Sequence, residues 1–226
     1  SASVAFGSIH VAPLIGAFVA RHPRVGIELV LGDRYVDLVE EGYDMAIRIG
    51  RLADSSLLAR RIGTTRLVIA ASPAYIARHG TPAAPADLTG HACLRYAYAN
   101  DGDVWDFLGA DGRQTVRIAS GISSNSGEAL CQMAVSGLGI VRAPDFIVAS
   151  HLATGRLVEL LADYAVEPLG IHAVHPMGRH VPTKVRAFID HLAGAQLGVL
   201  SDPASATPDV GTAPPRARAP RVRKKA

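Results

Sequence analysis

Between Leu38 and Ile49 the polarity of the chain changes period. Leu38 and Val39 give an acidic turn its apolar side while Glu40 and Glu41 face water, Gly42 suits a left-handed helix end, and Met45, Ile47 and Ile49 then alternate as strand residues do. A helical turn passing almost at once into a strand is an α/β junction, and similar changes of period recur along the chain. Ile9–Arg21 reads as a helix with Ile9, Leu14, Ile15, Phe18 and Val19 on its apolar side, and Val25–Leu31 reads as a strand. Leu67–Ala71 is a buried strand, followed by a helix start in which Ser72 caps and Pro73 occupies the first turn. The stretch from Asp87 to Val116 reads as loop-rich and holds Tyr96, Tyr98, Phe107 and the one tryptophan, Trp105. Beyond it the pattern predicts a strand over Val116–Ala119, a helix from Ser126 to Val135, a short strand Gly139–Arg142, a helix opened by Pro144, a late strand Ile171–His175 and a closing helix Pro182–Leu192. Alternation of this kind predicts an α/β fold with largely parallel strands.

With 226 residues, 49% hydrophobic and 5% aromatic, the chain can bury one substantial core or two small ones. No apolar run approaches the roughly 20 residues of a bilayer span, and no basic segment leads into an apolar one with a cleavage site at the start, so no membrane contact and a cytoplasmic location are expected. Cys93 and Cys131 have no partner spacing, which suggests two small buried thiols rather than a disulfide or a thiolate metal site. Six cations in residues 201–226 (Arg216, Arg218, Arg221, Arg223, Lys224 and Lys225) face only Asp202 and Asp209. That segment therefore carries +4 of a chain whose net charge is +3, and the other 200 residues carry −1. The basic pI is a property of the tail, so the folded part has no footprint of a nucleic-acid surface. Residues 199–226, rich in Pro, Ala and Arg, are expected to be a disordered basic tail, either a solvated end or a segment that touches DNA phosphates or acidic partners.

No pattern of a nucleophile elbow, a zinc-binding helix or a phosphate-binding loop occurs, and GLGIVRA at 137–143 places its glycines before a strand instead of after one, the reverse of a dinucleotide site. His172 and His175 face opposite sides of their predicted strand and cannot readily share a metal. An enzyme, a cofactor and a metal site are therefore not expected. Three helix starts remain: Ser3, Asn125 with the capping pattern NSGE, and Ala143-Pro144. Each is ordinary capping on its own. Pointed together into a cleft, they would suit a small anion.

The ordered series SVAFGSIHVAPLIGAFVARHPRVGIELVLGDR (3–34), DLVEEGYDMAIRIG (37–50), RLADSSLLARRIGTTRLVIAASPAYIARHGTP (51–82) and SNSGEALCQMAVSGLGIVRAPDFIVASHLATGRL (124–157) resembles the effector-binding portion of LysR-type transcriptional regulators, over residues 1–195. The resemblance implies a type II periplasmic-binding-protein-like fold, with two Rossmann-like α/β subdomains around a cleft and a chain that crosses between them twice, near Arg66–Ala70 and near Glu167–Ile171. Subdomain I would be residues 1–68 plus 168–198 and subdomain II residues 69–167. By motif position it places effector contacts at Ser3, Val4, Asp33, Arg51, Asn125 and Ser126, with Tyr96 and Arg142 added from strand ends. Arg51 either pairs bidentately with an effector carboxylate or is a solvated arginine at a strand end. Asp33 suits an amine or a hydroxyl better than an acid. The effector implied is a small organic acid or related metabolite. The family's winged helix-turn-helix, absent from this sequence, would be the part that reads DNA. Self-association as a dimer or tetramer is implied, the helix around 10–21 packing antiparallel on the partner's helix around 127–135, with Ile15, Phe18 and Val19 serving both core and interface. The alternatives are a stand-alone solute-binding protein of the same fold or, with no residue constellation behind it, an enzyme on that fold.

Overall fold

The computed structural model describes residues 1–50, 52, 57–99, 101–110, 112–177, 181–195 and 197. Arg51 and the tail 199–226 lie outside the described residues. The strands are, in chain order, β1 (Ala46–Ile49), β2 (Leu57–Thr65), β3 (Leu67–Ala71), β4 (Ala92–Tyr96), β5 (Val104–Gly109), β6 (Gly112–Arg117), β7 (Ala119–Ser124), β8 (Ile140–Pro144), β9 (Val158–Leu160) and β10 (Leu169–Pro176). They form two main sheets, ordered β1-β10-β2 and β7-β4-β8-β3-β9, and a β5-β6 hairpin.

The pairing corrects the expectation of largely parallel strands. Among the strand pairs of the described residues β4 with β7 and β4 with β8 run parallel, while β1/β10, β10/β2, β3/β8, β3/β9 and β5/β6 are antiparallel. The cause is the route of the chain. It leaves the first sheet at Arg66, builds the second, and returns as β10, which enters between β1 and β2 against their direction. Each sheet has its own core: Phe6, Val11, Ile47, Ile62, Ile171, Val185, Ile189 and Leu192 pack on the first, while separate clusters around Tyr75, Trp105 and Phe107, and around Leu130, Cys131 and Val148, cover the two faces of the second.

The helix Val4–Arg21 starts five residues before its expected position and contains a π-helical stretch, Gly7–Val11. The wider turn puts Phe6 and Val11, five residues apart, on one buried face and turns Ile9 outward to 45% exposure, so Ile9 is not on the apolar side that a regular 3.6-residue period assigns to it. By length and mean hydropathy (1.5) this helix could cross a membrane, yet Phe6, Val11 and Phe18 are buried in the first core. Among the described residues Val25–Leu31 forms no ladder beyond a bridge from Leu31 to Ala2, and a slot of about 400 Å³ lies between it and Glu41–Met45. The 37–41 segment closes as a turn rather than a helix: the Asp37 carboxylate accepts from the N–H groups of Val39 and Glu40, and Gly42 takes φ 72°. Leu38 is buried there, but Val39 is 68% exposed and contributes no apolar face. The stretch read as loop-rich, Asp87–Val116, contains β4, β5 and nearly all of β6, with Trp105 and Phe107 both buried at alternate positions of β5.

Both crossings between the sheets lie side by side with well-bonded groups. At the first, the buried Asp145 accepts from Thr65 Oγ1 (2.7 Å), from the Arg66 N–H (3.3 Å) and from the Phe146 N–H (2.7 Å), while its own N–H donates to the Arg66 carbonyl (2.9 Å). A buried carboxylate with that many donors is held in place.

A cleft between the two sheets is the candidate functional site

A concavity of about 460 Å³ lies where the chain crosses from sheet to sheet, and residues of both sheets line it. That volume suits a metabolite of modest size. One wall comes from the start of the Val4–Arg21 helix, the 32–35 loop and β1; the other comes from the ends of β4 and β8, the loop after β4 and the start of the Gly127–Val135 helix. Val166–Leu169, the second crossing, also borders it.

Six of the residues expected from the sequence converge there: Ser3, Val4, Asp33, Tyr96, Ser126 and Arg142. Ser3 and Val4 open the first helix, and the Val4 N–H donates to Asp33 Oδ1 at 3.0 Å, so a carboxylate from the neighbouring loop sits on the helix start. At the second helix start the cap is Ser126, whose Oγ accepts from the Ala129 N–H (3.2 Å), with Glu128 in the first turn. Asn125 is exposed and outside the residues that line the cleft, and the cap expected at Asn125 is Ser126 instead. The sequence NSGE offers two capping residues in succession, and the strand end at Ser124 puts the second one, Ser126, in the extended cap geometry. Arg51, the remaining expectation, is among the residues not described.

Arg142 lies in the middle of β8 with its side chain only 10% exposed; Nη2 donates to Asp101 Oδ2 at 2.7 Å and the guanidinium rests 5.0 Å from the Trp105 ring centre. Tyr96 and Tyr98 meet edge to face at 6.0 Å, and burial, with the negative charge of Asp33 adding to it, pushes the Tyr96 phenol well above its ordinary range. The Tyr96 phenol therefore stays neutral at physiological pH, and the two rings offer a stacking corner.

Sequence reasoning missed Arg48, Tyr35, Tyr98 and Glu128 as cleft residues. Arg48 was legible as a charge flanked by Ile47 and Ile49 in a short strand. Its Nη2 donates to the Val36 carbonyl (2.9 Å), its guanidinium lies 4.7 Å from the Tyr35 ring centre, and burial lowers its pKa. Elsewhere Cys93 and Cys131 are buried with their thiols pushed up to about 12, so neither is a reactive thiolate near neutral pH. Among the described residues no group of three or more His, Cys, Asp or Glu could hold a metal ion.

A profile of the LysR substrate binding domain matches residues 1–196. The chain belongs to the LysR substrate-binding-domain family. An HTH-type transcriptional regulator of Haemophilus influenzae is 43% identical over 80% of this chain and 62% of its own length, and the HTH-type transcriptional regulator CrgA of Neisseria meningitidis is 36% identical over 80% of this chain and 60% of its own. Among solved structures, the CrgA regulatory domain superposes with a TM-score of 0.74 at 34% identity, covering 86% of this chain and 96% of that one. A full-length AphB variant superposes with a TM-score of 0.72 at 28% identity, covering 85% of this chain and 66% of that one. This LysR domain thus has the type II periplasmic-binding-protein-like fold, with mixed sheets, and spans about three fifths of the length of the curated relatives it matches. These relatives are transcriptional regulators, not enzymes, and the free solute-binding alternative does not fit them.

Proposed function

We propose that this LysR domain senses a small metabolite in the cleft and passes the signal to a DNA-binding segment of a longer, cytoplasmic, self-associating protein. The observation that supports this reading most directly is that groups from both sheets border one cavity which also touches both chain crossings. A ligand there contacts residues 1–68 plus 168–198 on one side and 69–167 on the other, and so favours one relative placement of the two subdomains over others. DNA contact belongs to the segment that the relatives carry beyond the matched length, since the described part of this chain presents no element built for a groove. The self-association is a dimer made by the Val4–Arg21 helix against the partner's Gly127–Val135 helix, and dimers of dimers follow from such a pair.

The test uses a metabolite library and thermal unfolding. At least one compound raises Tm of the native domain, and Val4→Trp, which fills the mouth of the cleft from a position already 39% exposed, abolishes that rise while leaving the unliganded Tm within a few degrees. A full-length regulator whose reporter response is the same with and without Val4→Trp would rule the cleft out as the sensor.

A further inference from the structure

The chemical class of the effector follows from how the cleft walls are already engaged, and the argument rests on the effector-site reading above. Four features of these walls could hold an anion, and this chain supplies a partner to each. Asp33 accepts the Val4 N–H at the start of the first helix. Ser126 accepts the Ala129 N–H at the start of the Gly127–Val135 helix, and the Glu128 carboxylate stands in that helix's first turn. Arg142 donates to Asp101 while covering Trp105, and Arg48 donates to the Val36 carbonyl while covering Tyr35. An incoming carboxylate would compete with these partners for the same donors.

Carboxylates outnumber guanidiniums on these walls, although Asp101 pairs with Arg142 and Asp106 with Thr115 and Arg113. Among the described residues Asp33, Asp101, Asp106, Glu128 and Glu167 border the cavity, against the guanidiniums of Arg48 and Arg142. Asp33 uses Oδ1 alone for Val4. A cation placed beside Asp33 is attracted and an anion is repelled. Asp33 also lies close enough to Tyr96 for its charge to be felt at the phenol, and Tyr98 stands perpendicular to Tyr96.

We propose that the effector is a small organic cation, an amine with an apolar body. Its ammonium group sits beside the Asp33 carboxylate and against the Tyr96–Tyr98 corner. The ammonium donates to Asp33 and meets the electron-rich tyrosine rings, and its apolar part faces Ile47, Leu67 and Ile147. Asp33 is then the residue that sets specificity, replacing the organic acid that the family resemblance implies.

Calorimetric titration of the domain with three probes of matched shape separates the possibilities: 2-phenylethylamine, 2-phenylethanol and phenylacetate. The expected order of affinity is amine, then alcohol, with no binding of the acid. Asp33→Asn, which keeps a carbonyl oxygen for the Val4 N–H and so preserves the helix start, weakens the amine about tenfold or more and leaves the alcohol nearly unchanged. Binding of phenylacetate as tight as that of the amine, or an amine affinity untouched by Asp33→Asn, overturns the cationic class while the cleft stands as an effector site. No binding of any probe at millimolar concentration, together with a reporter response insensitive to Val4→Trp in the full-length protein, removes both readings.

Discussion

His10 is held in an aromatic box, its ring 4.8 Å from Phe6 and 5.4 Å from Phe146, with Nε2 lacking a hydrogen-bond partner among the described residues. Burial lowers its pKa below the ordinary 6.5, although the nearby Asp145 charge pulls the other way. Burial lowers those of His172 and His151 in the same direction, with Arg61 and Arg156 adding to it. Each imidazole is therefore harder to protonate in the folded chain than in the unfolded one. Below pH 6.5 the unfolded state binds more protons, so stability is full above that value and declines as pH falls towards the depressed folded pKa values. Thermal unfolding should show Tm lower at pH 5.5 than at pH 7.5. His10→Phe, which keeps a ring in the box and cannot titrate, should make that decline shallower. The carboxylates held low, Glu41 and Asp87, act only below their ordinary 4.5 and 3.8 and so lie outside this window. A Tm independent of pH over this range would mean that the three imidazoles are solvated in the folded state.

At the scale of elements, the centre of the second sheet depends on a missing side chain. A Cβ on Gly139 would stand 2.6 Å from the Ala92 carbonyl oxygen, at the point where β4 and β8 begin to pair through Cys93 and Ile140. The obstacle is backbone, so Gly139→Ala must prise the two strands apart, and a loss of about 2 kcal/mol or more is expected in urea unfolding. Gly16, in the first helix with nothing within 4 Å of its would-be Cβ, is the control: Gly16→Ala should stabilise by about 0.5–1 kcal/mol. The contrast also bears on what a sequence can reveal. Helices with proline or serine starts, at Ser72-Pro73 and Pro182, and apolar strands such as Leu67–Ala71 were readable because local chemistry decides them. β2 was not, since LLARRIGTT has its Arg60 and Arg61 exposed and no apolar alternation to read. Trp105 and Phe107 alternated visibly, yet the short strands around them sat among turn residues. The direction of β10 depends on a return from more than a hundred residues away, which no window of sequence contains. Of the cleft, the helix start after Ser3 was readable from local chemistry and its convergence with the other contacts only from the family resemblance, whereas Arg48 and Tyr35 meet only through the fold.

For the whole molecule, the proposed dimer can be argued from what the first helix leaves uncovered. Phe18 is wholly buried in its own subunit and cannot serve a partner, contrary to the expectation that it would do both; Ile15 and Val19 are half-buried, and Ile9 stands 45% exposed on the π-helical turn beside the exposed Ser8, Ala12, Pro13 and Gly16. Small residues around one branched apolar side chain make a surface that another helix can approach closely. The Gly127–Val135 helix offers Gln132 outward, with Leu138 48% exposed just beyond its end. In a two-fold dimer each such contact occurs twice, so one substitution acts at both copies. Sedimentation of the domain over a wide concentration range should show monomer and dimer in exchange. Ile9→Asp buries two unpaired carboxylates in the dimer and should weaken association at least tenfold, while an exposed Ile9 position costs the monomer little. A monomer at every concentration, or a dimer indifferent to Ile9→Asp, would move the interface away from this helix. An unchanged Tm for the dilute variant would show that any loss lies in association and not in folding.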